Sequence, residues 1–394
     1  MTTIEILFWS MLALVFYTYL GYGILLFFCV KIKALFAIHK TPMSFRGFPS
    51  ITLVIPAYNE KAFLVEKIQN SLELAYPKRQ LKIVVVTDGS DDGSEYLFQN
   101  SKYVTVFHRR ERAGKMAAVN RVMPYVTTDL VVFTDANTLL NKEALLNIVS
   151  CFNDPTVGCV SGEKRILQAQ RNNAAIGGEG LYWKYESTLK RWSSTLNSAV
   201  GAAGELFALR TKLYQAPPED TILDDFILSL AVVEKGYTIA YEPNAYAMEA
   251  GSKNVLEEMK RKVRIAAGGL QAIYRTARLL NPFKHPLFAV QYLSHRVLRW
   301  TITPLALFTL LPINIYLAVE VGGLYTFLAI LQGIFYAAAA IGALLQQKQL
   351  KKPIFFVPFY FIMMNVSVLL GAKRLWLDGQ SVLWEKAKRL EVVR

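Results

Sequence analysis

Apolar positions follow two patterns along the chain. Toward both ends they run on without a break. Ile6 to Val30 carries no charged residue, and about 25 helical residues cross about 30 Å of hydrocarbon. Thr301–Val319 and Leu324–Leu345 are also uncharged, and Glu320-Val-Gly-Gly joins them, so they predict a transmembrane hairpin. Pro353–Ala372 is a further apolar segment, interrupted by Pro358 and Asn365. Between these ends the runs are short and alternate with amphipathic stretches. Ile51–Pro56, Leu81–Thr87, Val104–His108, Leu130–Thr134 and Gly158–Ser161 read as buried strands. Segments near Lys61–Leu74, Glu95–Ser101, Lys115–Val126 and Lys142–Phe152 read as helices. That alternation predicts βαβ units in an α/β domain with a mostly parallel sheet.

Charge orients these segments. Only Glu5 precedes the first apolar run, with no Lys or Arg, whereas Lys31, Lys33, His39 and Lys40 follow it. The positive-inside rule places the N-terminus outside and the α/β domain in the cytoplasm. The run is too long for a cleaved signal and lacks a basic leader. Four spans would put the end of the chain outside. Yet the tail holds Lys373, Arg374, Lys386, Lys388, Arg389 and Arg394 against Asp378, Glu385 and Glu391. A basic tail favours the cytoplasm. Either the last segment is re-entrant or interfacial, or the rule fails there. The expected division is a first helix with its basic flank (1–40), the α/β domain (41–285), an interfacial segment (286–300), membrane segments (301–372) and a basic amphipathic tail (373–394).

Composition narrows the classes. The 394 residues include 44 Lys plus Arg against 30 Asp plus Glu, a net +14, and 53% are hydrophobic. So much apolar surface excludes a disordered chain. The basic excess flanks apolar segments and is not interleaved with aromatics, which points to anionic lipid and not to nucleic acid. Cys29, Cys151 and Cys159 form no CxxC pair, and the four histidines are scattered, so neither a disulfide framework nor a zinc site is expected.

Five short motifs carry candidate chemistry. Val54-Ile-Pro-Ala-Tyr-Asn-Glu60 and Val84-Val-Val-Thr-Asp-Gly-Ser-Asp-Asp-Gly-Ser94 each run from a strand into a polar loop, where open α/β sheets bind ligands. Asp88 is placed to accept hydrogen bonds from a base or ribose; Asp91, Asp92 and Ser94 read equally as an Asp-rich turn. In Val131-Val-Phe-Thr-Asp-Ala-Asn-Thr138, Asp135 and Asn137 have the spacing of two oxygen ligands to one hard cation, Mg²⁺ or Mn²⁺, or of a plain turn. Gly114 and Lys115 open a helix, a place that favours an anion within reach of Lys115, or else the lysine faces solvent. In Thr221-Ile-Leu-Asp-Asp-Phe226 one carboxylate is a candidate general base, and the other falls on a different face as a helix cap.

Together and in this order, these motifs resemble the membrane-bound family 2 glycosyltransferases of GT-A fold, the branch of cellulose, chitin, hyaluronan and poly-N-acetylglucosamine synthases. The resemblance covers nearly the whole chain. It implies a Rossmann-like cytoplasmic domain with one N-terminal and two to three C-terminal transmembrane segments. It also implies an inverting transfer from a nucleotide-diphosphate sugar, UDP-linked, to a glycan or lipid-linked acceptor. By the same resemblance Pro56, Ala57, Tyr58 and Glu60 cradle the nucleotide and Asp88 holds the uridine. Lys115 lies near the donor diphosphate. Asp135 and Asn137 fill the DxD-type metal site, with Asn in place of the second carboxylate. Asp224-Asp225 stands where the family has Glu-Asp, which places both among the catalytic residues and makes Asp225 the base. Gly201–Arg210 resembles the acceptor-side segment. Processive members carry Gln-x-x-Arg-Trp after the base. This chain has Arg261-Lys-Val-Arg-Ile265, which keeps Arg264 but replaces Gln by Arg261 and Trp by Ile265. A comparable stretch further on, Arg296-Val-Leu-Arg-Trp300, reads as an interfacial anchor. Three readings follow: a polysaccharide synthase, a transferase adding one sugar to a lipid or lipid-linked acceptor, and a non-catalytic binding homologue.

Overall fold

The computed structural model describes residues 1–36, 47–98, 101–167, 174–252, 254–347 and 353–378. The basic residues His39 and Lys40, residues 348–352 and the tail from residue 379 lie outside the described residues.

Thr3–Phe16 (α1) and Tyr22–Leu35 (α2) form one continuous rod through a π turn at Tyr17–Gly21. A capping box closes its start: the Glu5 amide donates to the Thr2 hydroxyl while the Glu5 carboxylate accepts from the Thr2 amide. The rod is longer than the expected span because α2 goes on along the central domain. Lys33 Nζ donates to the carbonyls of Thr195 and Leu196, both at 2.8 Å.

The central domain follows. Its strands are Ile51–Ala57 (β1), Leu81–Asp88 (β2), Val104–Arg109 (β3), Leu130–Phe133 (β4), Thr138–Leu140 (β5), Val157–Leu167 (β6), Phe207–Arg210 (β7) and Thr238–Ala250 (β8). Lys61–Leu72 (α3), Lys115–Val122 (α4), Ala144–Cys151 (α5), Ala174–Leu196 (α6), Asp224–Glu234 (α7) and Val255–Arg275 (α8) are its helices. One sheet runs β3-β2-β1-β4-β7-β6-β8-β5. β1 lies parallel to β2 and β4, with Ile51 beside both Leu81 and Leu130, and β2 lies parallel to β3. β7 is antiparallel to β4 and β6, whereas β6 and β8 are parallel. Helices cover both faces, so every residue of β1 is buried. Alternate residues serve opposite cores. Val54, Val86 and Val131 pack with α4 and α7, and Leu53, Ile55 and Val132 pack with α3 and α5.

One expected helix is absent. Among the described residues of Glu95–Ser101, only a 3₁₀ turn forms, at Ser94–Tyr96. The Ser94 amide donates to Asp92 Oδ1 at 3.0 Å, so the side chain commits the backbone to a turn.

After the domain come Pro286–Tyr292 (α9), a π turn at Leu293–Val297, Leu298–Trp300 (α10), Ile302–Glu320 (α11), Leu324–Gln347 (α12) and Pro353–Lys373 (α13). Thr3–Leu35, Ile302–Glu320, Leu324–Gln346 and Pro353–Leu377 are long and apolar enough to cross a membrane. Phe8 of α1 packs with Leu310 and Leu317 of α11 and Tyr325 of α12.

Candidate active site

The carboxyl ends of β1, β2 and β4 lie side by side, and the loops leaving them are stitched together. The Asn59 amide donates to Ser90 Oγ at 3.1 Å, Asn59 Nδ2 to Asp91 Oδ1 at 2.8 Å, and the Lys61 amide to Asp92 Oδ2 at 2.8 Å. The acidic turn after β2 therefore fixes the Pro56–Glu60 loop, of which Pro56 and Ala57 are the last residues of β1. Arg112 stacks 3.7 Å above the Tyr58 ring. Its close approach needs glycine at position 89: φ is +69°, and a Cβ there would lie 2.6 Å from Arg112 Cβ.

Asp88, at the end of β2, is fully buried. Its carboxylate accepts from the Ala113 amide at 3.1 and 3.2 Å and from the Gly114 amide at 2.7 Å. It thus holds the loop that delivers Lys115 to the start of α4. A cavity of about 910 Å³ opens beside β3, lined by Gly89, Ser90, Asp91 and His108 among others. None of the carboxylates described next lines it.

Lys115 is the hub. Its Nζ donates to Asp135 Oδ1 at 2.9 Å and lies 3.1 Å from Asp224 Oδ2. Burial opposes the lysine charge, yet Asp135 and Asp224 outweigh it and hold the ammonium well above its usual range. Burial raises the Asp135 carboxyl, Lys115 lowers it and Glu205 raises it, with a net shift upward. Asp224 and Asp225 form the first turn of α7, where the helix dipole favours negative charge. Asp225 faces Gly204, with Oδ2 3.3 Å from where a Cβ would stand. Burial first, then the Asp224 charge, push the Asp225 carboxyl up to about 7. Asp224, read as a catalytic neighbour of Asp225 or as a helix cap, reaches Lys115.

The candidate cation ligands are two in number. Asp135 and Asn137 are half-buried on one turn after β4. Among the described residues, no group of three or more His, Cys, Asp or Glu could hold a metal. The two oxygens suit a hard cation that takes its remaining ligands from water and a diphosphate. The ammonium of Lys115 already bridges Asp135 and Asp224, so the cluster accommodates positive charge.

The later motif divides. Arg261 pairs with Glu258 on α8, Nε to Oε2 at 3.2 Å. Arg264 lies within electrostatic reach of Asp224, Asp135 and Asp225. Ile265 offers no ring. In the Arg296–Trp300 stretch both arginines turn inward. Arg296 bonds Glu186, and Arg299 Nη1 lies 3.3 Å from the same carboxylate. Trp300 packs on Gly269 and edge-on to Phe226, with centroids 5.5 Å apart. The charges expected at lipid headgroups are thus satisfied inside the protein.

Similarity to known proteins agrees with this geometry. Residues 49–268 match the family described as glycosyltransferase like family 2. The chain belongs to that family. This family 2 glycosyltransferase is 29% identical over 253 residues to the poly-beta-1,6-N-acetyl-D-glucosamine synthase of Staphylococcus aureus strain COL, an alignment covering 61% of this chain and 60% of that one. It is 26% identical over 238 residues to the beta-monoglucosyldiacylglycerol synthase of Trichormus variabilis, covering 57% and 50%. The chain therefore spans about 60% or less of the length of these relatives. A mannosyltransferase from Pyrobaculum calidifontis, solved in complex with GDP-Man and Mn²⁺, shares the fold over 96% of this chain and 100% of its own. Its TM-score is 0.73 at 22% identity. The mostly parallel GT-A-type sheet and the apolar helices of a membrane-bound transferase are as the sequence predicts.

Several residues that shape the site of this glycosyltransferase lie outside the five motifs. Lys67 is fully buried on α3 and donates to Thr134 Oγ1 at 2.8 Å and to the Thr138 carbonyl at 2.9 Å. It braces the turn carrying Asp135 and Asn137. Its place between Leu64 and Ile68 on the inner face of α3 is a legible signal. Glu205 pairs with buried Lys164 at 2.6 Å, and that lysine also meets Glu249. Burial opposes the Glu205 charge, but Lys164 prevails and brings the carboxyl down to about 2.

Proposed function

We propose that this glycosyltransferase moves a sugar from a nucleotide-diphosphate sugar, UDP-linked, to a growing polysaccharide or lipid-linked acceptor at the cytoplasmic membrane face, with inversion at the anomeric carbon. One observation carries the reading: Asp225, raised to about 7, stands beside the Asp224–Lys115–Asp135 chain at the sheet's carboxyl edge. A carboxylate poised near neutrality suits a general base. Asp225 accepts the proton of the acceptor hydroxyl as its oxygen attacks the anomeric carbon. Lys115 and Arg264 attract the diphosphate leaving group. The Pro56–Glu60 loop, with Tyr58 held by Arg112, and the loop anchored by Asp88 shape the nucleoside side. Bound Mg²⁺ or Mn²⁺, held by Asp135 and Asn137, would neutralise charge developing on the diphosphate. The Lys33 bonds to the end of α6 put the domain on the same side as the basic flank of the first helix, which supports a cytoplasmic site.

The polymer reading draws on the similarity to a poly-N-acetylglucosamine synthase. The single-addition reading has its own support: Ile265 has no ring for an acceptor sugar, and the Trp300 ring is packed against Gly269. A product-length assay separates them. Membranes are given labelled UDP-glucose, UDP-N-acetylglucosamine or GDP-mannose with Mg²⁺ or Mn²⁺, beside an Asp225→Asn control. Polydisperse high-mass product supports the synthase. One discrete lipid-extractable adduct supports single addition. No sugar transfer above the control with any donor overturns the proposal.

A further inference from the structure

The last apolar helix does not leave the catalytic domain. Near its start, Phe356, Tyr360 and Met363 of α13 cluster with Val255 and Met259 of α8. Tyr360 donates its hydroxyl to Glu258 Oε1 at 3.3 Å. Near its end, a Cβ on Gly371 would lie 2.7 Å from Ala266 Cβ and 2.9 Å from both the Ala267 amide and the Val263 carbonyl. The two helices therefore run parallel and touch near both ends of α13, each 21 residues long or roughly 31 Å. Midway, the Tyr19 hydroxyl donates to Asn365 Oδ1 at 2.5 Å. α13 stays against α8 from Phe356 to Gly371, so the residues that follow Gly371 remain beside the catalytic domain.

The arrangement has a chemical result. Val263, Ala266 and Ala267, which contact Gly371, flank Arg264. One turn beyond Gly371 is Arg374, which opens a π turn at Arg374–Asp378. Arg264 senses its charge. Among the described residues Arg264 forms no hydrogen bond or ion pair, although it lies within electrostatic reach of Asp224, Asp135 and Asp225. Burial and the neighbouring Arg374 charge hold it below its ordinary value, against the pull of the three carboxylates. Two guanidinium groups within electrostatic reach of each other repel until an anion lies between them, and their planar forks match phosphate oxygens.

We propose that Arg374, brought back to the catalytic side by α13, forms with Arg264 a paired-guanidinium site for a substrate phosphate. The proposal rests on the phosphate-bearing substrates argued above. The phosphate belongs either to the donor diphosphate or to a phosphorylated lipid acceptor, and Arg374 is the residue that ties the membrane helices to its binding.

The test uses the full chain in lipid nanodiscs. Binding of UDP and of inorganic pyrophosphate is measured by calorimetry for the unchanged protein, Arg374→Gln, Arg374→Lys and the neighbouring-charge control Lys373→Gln. The same proteins are titrated with a polyprenyl phosphate. Loss of one charge-assisted contact predicts about tenfold weaker binding for Arg374→Gln, with Arg374→Lys close to the unchanged protein and Lys373→Gln unaffected. Weakening confined to UDP and pyrophosphate assigns the donor, and weakening confined to the polyprenyl phosphate assigns the acceptor. Unchanged binding of all three overturns the proposal. Independently, Leu377→Cys, in a background with Cys29, Cys151 and Cys159 replaced by Ala, is exposed to an impermeant maleimide. Labelling in inverted but not right-side-out vesicles is expected, with Val321→Cys giving the opposite pattern. Labelling of Leu377→Cys from outside also overturns the proposal. Either failure leaves sugar transfer by Asp225 intact, so the two ideas fail separately.

Discussion

Lys115 and Asp224 lie 3.1 Å apart, Nζ to Oδ2, and the contact joins the first turn of α4 to the first turn of α7. With Asp135 at 2.9 Å on the other side, one ammonium holds together two carboxylates brought from different strands and helices. Lys115→Met leaves those acids facing each other without a cation. We expect kcat/KM to fall by roughly 10²- to 10³-fold, the scale for losing one positioned electrostatic contact, and nucleotide binding to weaken. Lys115→Arg keeps the charge, but the wider guanidinium does not fit the short reach to both acids, so it should recover only part of the loss. Steady-state kinetics of both variants check this.

Asp225 links activity to pH, and its stability effect has the opposite sign. A base titrating at about 7 gives a rate that falls as pH drops through 7. Its folded-state value lies above the unfolded one, so the folded protein binds more protons between about pH 4 and 7, and stability falls as pH rises through that window. Asp225→Asn removes the burden of a buried negative charge. It should abolish transfer, leave nucleotide binding close to unchanged, and raise the melting temperature at pH 8 but hardly at pH 4. A variant that still transfers sugar, or that melts lower at pH 8, would contradict the role given to this carboxyl.

The proposed cation ligands make a third test. Asn137 would contribute a neutral oxygen where a second carboxylate would bind a hard cation more strongly. Asn137→Asp should lower the Mn²⁺ concentration needed for half-maximal binding in the presence of UDP, read by electron paramagnetic resonance. Without metal it adds negative charge beside Asp135, whose carboxyl is already raised by burial, so the melting temperature in EDTA should drop. Asp135→Ala should remove the response to EDTA altogether.

The parallel half of the sheet was legible because β1, β2 and β4 are buried on both faces and read as unbroken Val/Ile runs. Of the other half only the start of β6, at Gly158–Ser161, was. β8 alternates buried and half-buried residues and carries Glu242, Pro243 and Asn244 in its middle, which reads as a loop. The motif residues Lys115, Asp135 and Asp224 were found because they sit where the chain has to turn between elements. Lys67 was missed although its place between Leu64 and Ile68 marks the inner face of α3, and Lys164 was missed because a lone lysine looks solvated until its buried partners Glu205 and Glu249 are known. Arg296 and Arg299 misled for the same reason: beside an apolar segment they look like headgroup contacts, and Glu186 lies 110 and 113 residues away in sequence.

That carboxylate supports a last prediction. Glu186 on α6 is buried and faces Arg296, Arg299 and His295. Burial would raise it, yet Arg296 and His295 hold it well below its ordinary range. Burial also pushes His295 down to about 4. Both shifts have the same sign of effect. A carboxyl lowered in the folded state contributes stability above its unfolded value that is lost as pH falls. A histidine lowered in the folded state costs stability once pH drops below about 6.5, where the unfolded chain takes up the proton. The melting temperature should therefore decline on acidification from pH 7 toward 4. Glu186→Gln strands the buried Arg299 and the half-buried Arg296, so it should cost about 3–5 kcal/mol at pH 7.5. The cost should shrink toward pH 4, because the carboxyl's own share of the acid sensitivity has been removed. Paired melting curves across that range decide it: a constant difference at every pH would mean that Glu186 acts by shape and not by charge.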